Sequence, residues 1–173
     1  MQVETAHSLT VRCSDVYLYE SVMNSDQFGS LPQLQQLTIE LCKIKLLPSS
    51  SFVGLKNLRS LEIRGHNSEW SGSQQWTMQL QAETLKGMSQ LEVLDLSDNN
   101  IWGLPASSLC HTPTLTSLNL SRNNIVEVSE IGLSGNICQL LGNLECEAGQ
   151  LSLDGKHFVS GWVQAAMQRA GCD

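Results

Sequence analysis

Apolar side chains alternate with polar ones every second position at repeated places in this chain, among them Leu37 and Ile39, Leu94 and Leu96, and Leu118 and Leu120, with Thr38, Asp95 and Asn119 between them. A period of two predicts short strands that bury one face. Each strand belongs to a longer unit, LxxLxLxx(N/C)xL, which begins at Leu34 (LQQLTIELCKI), Leu58 (LRSLEIRGHN), Leu91 (LEVLDLSDNNI) and Leu115 (LTSLNLSRNNI). The starts lie 24, 33 and 24 residues apart, so two intervals share one period and the third carries an insertion of about nine residues. One unit cannot bury its own apolar face. Stacking units about 5 Å apart joins the leucines into one core, each buried side chain contributing about 1.5 to 3 kcal/mol.

The predicted architecture is therefore an α/β leucine-rich-repeat solenoid: a curved parallel β-sheet on the concave face, loops and short helical turns on the convex face, and a C-terminal capping helix. Residues 1–33 form an irregular first coil, since Leu9 and Val11 of LTVRCSDV align with Leu37 and Ile39. The repeats proper run over 34–137, with the insertion at about 67–82, and 138–173 hold a degenerate repeat and the cap. Short helical turns are expected where apolar residues recur three apart, in QFGSL, LPSSSFVGL and LKGM. Asn99 and Asn123 fall where the chain leaves the strand, and an amide there can bond backbone groups that the turn strands inside the coil. Cys42 takes that slot in the first unit and His66 in the second. Near the end, Phe158, Val159, Trp162, Val163, Ala166 and Met167 share one helical face, which suits a lid over the open end of the stack.

Six cysteines are an even number, and repeats of this length usually accompany secretion, so disulfides are the first expectation. Cys13 and Cys42 fall at neighbouring positions of adjacent coils, and closing that loop adds about 3 to 4 kcal/mol in the chain-entropy description. Cys110 and Cys138 are the second candidate pair, on corresponding convex segments, which leaves Cys146 with Cys172. The competing arrangement is a reduced cytosolic chain with Cys42 as a small buried filler. The net charge of −7 and the lack of any Lys/Arg run speak against nucleic acid or an anionic membrane as partner and favour a basic protein surface. No apolar run is long enough to span a bilayer, and MQVETAHS lacks the regions of a signal peptide. The chain reads as a fragment whose leader and any anchor lie outside it.

His7, His66, His111 and His157 lie on different segments, with no HExxH, no CxxC and no glycine-rich phosphate loop. No catalytic residue, metal or cofactor is expected. Binding is expected on outward strand positions, namely Gln36, Thr38, Glu40, Glu62, Arg64, Asp95, Ser97 and Ser117, or on the insertion through Trp70 and Trp76. Trp102 reads as a flank residue. Asn119 begins NLS, the regular glycosylation sequon of the chain.

The tracts SLTVRCSDVYLYESVM, LTIELCKIKLLPSSSFVGLKNLRSLEIRGHNSEW, LDLSDNNIWGLPASSLC and LNLSRNNI together resemble the amino-terminal ectodomain of insect Toll receptors, especially the long, Tollo-like subgroup. The resemblance covers about Ser8 to Cys138 and ends there. It implies an extracellular recognition module that binds a Spätzle-like cystine-knot protein or a partner receptor and dimerises on binding. An adhesive solenoid acting in trans, without a soluble ligand, is the alternative.

Overall fold

The computed structural model describes residues 5–13, 20–65, 77–105 and 108–124, and the backbone of 157–159. The strands are β1 (Ser8–Arg12), β2 (Gln36–Glu40), β3 (Leu46–Leu47), β4 (Ser60–Arg64), β5 (Gln79–Leu80), β6 (Val93–Asp95), β7 (Ser117–Asn119) and β8 (His157–Val159). Six of them form one sheet in the order β1-β2-β4-β6-β7-β8, parallel as far as β7, while β3 and β5 pair on the flank. This is the leucine-rich-repeat solenoid that the periodicity predicts.

Register explains the core. Leu9, Leu37, Leu61, Leu94 and Leu118 are successive partners across the sheet, and the last four have no exposed surface. The first coil joins in register, with Leu9 and Val11 only partly buried because no described strand covers them from the other side. A second column runs along the convex side, where Phe28, Phe52, Leu85 and Leu109 recur with the same offsets and are all buried. The rings of Phe28 and Phe52 stack at 6.0 Å between centroids.

The insertion ends before residue 82. Glu40 pairs with Arg64 at an offset of 24 residues, whereas Leu46 pairs with Gln79 at an offset of 33. All nine extra residues thus fall between Arg64 and Gln79, and Gln79–Leu80 already belong to the regular flank strand. His66, Trp70 and Trp76 lie outside the described residues.

QFGSL, LPSSSFVGL and LKGM form the short turns expected on the convex side, closed by bonds such as Leu31 N to Phe28 O (2.9 Å) and Leu55 N to Phe52 O (3.2 Å). Residues with positive φ keep these turns short: Asp26 stands just before the first run, Ser50 and Gly54 lie in the second and Gly87 in the third, and a continuous helix cannot pass them. Among the described residues the only 3-10 element of the repeats is Ser108–His111. Gly54 is required for a further reason, since a Cβ there would lie 3.0 Å from the Gly29 backbone of the preceding coil.

The cap differs from its expectation. Phe158 and Val159, expected on an amphipathic helix, belong to β8, which pairs antiparallel with β7 through Ser117–Val159, Leu118–Phe158 and Asn119–His157. The edge of β7 presents a row of backbone donors and acceptors, and an extended segment satisfies them where a helix cannot. The place beside β7 that a further parallel strand would take is held by β8. Leu141, Leu144, Trp162 and Met167 lie outside the described residues.

The slot after the strand is the most polar part of the interior. Asn99 has no exposed surface; its Nδ2 donates to Ile63 O (2.6 Å) in the preceding coil and to Ser97 O (3.0 Å), and its Oδ1 accepts from Gly65 N (2.8 Å). Asn123 repeats the pattern one coil on, with donations to Leu96 O (2.8 Å) and Leu120 O (2.9 Å) and acceptance from Asn99 N and Ile101 N. Cys42 occupies the same slot and is bonded to Cys13, with Cα atoms 5.0 Å apart. Cys13 stands in the first coil where Gly65 stands in the coil before Asn99, so the disulfide follows the path of an amide bond. Cys110 is disulfide-bonded as well, while Cys138, Cys146 and Cys172 lie outside the described residues.

Leu94→Ala is expected to lower the unfolding free energy by about 2 to 5 kcal/mol, and Val22→Ala, at a side chain 73% exposed, to change it by less than about 0.5, both read from urea titrations. Asn99→Ala strands two backbone groups of the neighbouring coil, at about 1 to 3 kcal/mol each. Hydrogen exchange at the Gly65 amide should accelerate with it; unchanged protection there would contradict the assignment.

Candidate functional site

The register that stacks the leucines also lines up the outward side chains. One row runs Thr10, Thr38, Glu62, Asp95, Asn119 and another runs Arg12, Glu40, Arg64, each residue facing its partner on the next strand. Neighbouring strands are about 4.8 Å apart, so charges in a row meet directly. Arg12 pairs with Glu40 at 3.1 Å, and Arg64 reaches both Glu62 (3.4 Å) and Asp95 (2.5 Å). Asn119 Nδ2 completes the chain by donating to Asp95 Oδ2 at 3.1 Å.

Asp95 is the centre of this network. Its side chain is only 8% exposed, and its other oxygen accepts from Ser97 N at 2.9 Å. Burial by itself pushes the carboxyl pKa up, but the Ser97 hydroxyl and amide and the Arg64 guanidinium together outweigh it and hold the pKa below the usual value. The same hydrogen bond raises Arg64, against the desolvation that opposes it.

This sorts the expected binding residues. Gln36 is exposed, and Thr38, Glu40, Glu62, Arg64 and Ser117 are half-buried with surface to offer. Asp95 and Ser97 are buried, at 6% and 7% exposure, so little of either side chain is open to a partner. The outward alternation fails here because the strand ends at Asp95 and the chain turns inward through Ser97 to Asn99. Sequence reasoning missed Arg12. Its side chain is 67% exposed at the end of the same rows, and the signal was available in the alternation of SLTVR, in register with the second coil.

Asn119 is half-buried, and its amide is already engaged by Asp95 while its Oδ1 accepts from Ser121 N at 3.1 Å. A glycan on that nitrogen would have to clear the Asp95 carboxylate. Trp102 stands apart from the strand face, 41% exposed. Among the described residues no cluster of three or more His, Cys, Asp or Glu side chains has the geometry to hold a metal ion, and no helix is long and apolar enough to cross a membrane.

The depressed Asp95 pKa sets a sign. The unfolded chain takes up the proton first, so the stability that Asp95 contributes is fully present above about pH 3.8 and is lost as pH falls through the lower folded value. Asp95→Asn should therefore flatten the rise of stability with pH in that acid window. Melting curves of both proteins from pH 2 to pH 6 on the order of half-unit steps would show it; equal slopes would mean that Asp95 is not held ionised by its neighbours.

Comparison with known proteins agrees with this geometry. Two family models, both described as leucine rich repeat, match residues 78–125 and 114–144. Toll-like receptor 7 of Drosophila melanogaster is 40% identical over 130 residues, covering 75% of this chain and 9% of that protein. Toll-like receptor 3 of Bos taurus is 33% identical over 102 residues, covering 59% of this chain and 11% of its own. The chain thus spans about a tenth of the length of the curated relatives it matches. A crystal structure of a TLR13–ssRNA13 complex aligns over 70% of this chain and 18% of that one with a TM-score of 0.40 and 20% identity, and the RNA belongs to that protein alone. The chain contains leucine-rich repeats and is similar in sequence to a part of two Toll-like receptors.

Proposed function

We propose that this chain is a protein-recognition segment of a receptor ectodomain, and that its outward strand face is the surface that recognises. The observation that carries the reading is the pair of rows in which Arg12, Glu40, Glu62 and Arg64 stand accessible on a scaffold locked by the leucine core below. Side chains on strands of a stacked sheet are held at fixed spacing, which lowers the entropy lost on binding. Mixed charge at that spacing selects a partner by complementarity more than by apolar area. The overall charge of −7 favours a partner with a basic surface over nucleic acid.

In this reading the chain works at the cell surface, with its ligand a secreted cystine-knot protein of the Spätzle type and dimerisation following ligand binding. The parent belongs to the long subgroup of insect Toll receptors. The insertion, through Trp70 and Trp76, makes a second contact.

The full chain immobilised in a biosensor should bind a purified Spätzle-type ligand saturably. Charge reversal at Glu62 and Glu40 to lysine should weaken it by roughly tenfold or more, about 1.4 kcal/mol, with Trp102→Ala unchanged as the flank control. A Trp76→Ala loss would add the insertion to the interface. Absence of saturable binding, together with chain-dependent clustering of coated beads, would replace the ligand-binding reading with an adhesive one.

A further inference from the structure

We propose that the outer edge of β7 is a strand-accepting site, occupied in the monomer by the chain's own β8 and in a dimer by β8 of a second copy. Every other pairing in the main sheet is parallel, as stacked coils require, and β8 alone runs antiparallel. It is therefore not a further coil of the stack but a separate strand laid against its open edge. An exposed strand edge offers unpaired N–H and C=O groups, and an added strand satisfies them irrespective of which chain supplies it.

Chain length allows both sources. Thirty-seven residues separate Asn119 from His157, enough to span up to about 120 Å when extended, so reach does not tie β8 to its own edge. The site is small, three residue pairs, so the strand can leave without unfolding the coils. Reciprocal exchange reproduces the same three pairs twice about a twofold axis and leaves neither β7 edge open. Direct pairing of one β7 with another is disfavoured, because each edge is already filled. This exchange rests on the edge geometry alone and not on the ligand reading above.

The register supplies the test. Ser117 and Val159 are opposite one another, so a Ser117→Cys/Val159→Cys double variant of the full chain can form a bond across the site. An equal mixture of isotope-labelled and unlabelled chains is held dilute or concentrated, oxidised, separated by size and mapped by mass spectrometry. The expected result is a 117–159 link within single chains in the monomer, and a link between labelled and unlabelled chains in a dimer whose fraction grows with concentration. Links confined to single chains at every concentration would overturn the exchange, and no 117–159 link at all would overturn the site. Phe158→Pro, which removes a backbone donor at the centre of β8, should abolish the dimer while the melting transition of the coils persists. A dimer that survives Phe158→Pro would also overturn the proposal.

Discussion

Each coil of this chain, taken alone, would leave a row of leucines in water and a set of backbone groups without partners where the strand ends. Only a neighbour in the same register removes both penalties. Leu61 is covered by Leu37 on one side and Leu94 on the other, and Ile63 O and Gly65 N find their partner in Asn99 of the next coil. Stability in such a stack is a sum over adjacent pairs, so a defect in one coil is felt by its two neighbours first.

The slot behind the strand shows two chemical solutions to one geometric demand. Asn99 and Asn123 cross to the preceding coil with an amide, which offers a donor and an acceptor at the same point. Cys42 crosses with a covalent bond to Cys13, at the same position relative to the first coil. A disulfide suits that place, because the first coil has a described neighbour on one side only and its Leu9 and Val11 contribute less burial. The cross-link compensates by limiting the freedom of the unfolded chain.

On the outward face the same register brings charges together, and the network this creates divides the face into two parts. Toward the first coils, Arg12, Glu40, Glu62 and Arg64 are paired yet retain surface. Toward β6 the carboxylate of Asp95 is enclosed by Arg64, Ser97 and Asn119 and works as a fastener between strands. The accessible charge of the strand face thus lies toward the amino-terminal coils. The aromatic residues that usually anchor interfaces are absent from these outward positions.

The repeats, their spacing, the leucine core, the asparagine slot and the pairing of Cys13 with Cys42 were legible along the chain because each follows from a period or from one position in adjacent coils. The tertiary structure alone decided the rest. Asp95 is buried by Arg64, which lies 31 residues away, and no local pattern distinguishes an outward carboxylate that is enclosed from one that is free. The limits of the insertion needed the pairing of β3 with β5, and the turns of the convex side needed the positive φ values that cut them short. The tail carried a helical spacing of apolar residues, yet Phe158 and Val159 run as a strand, because the open edge of β7 is a partner that exists only after the coils have stacked. Local sequence determines which side of a segment is apolar; the backbone groups left unpaired by the assembled fold determine what that segment becomes.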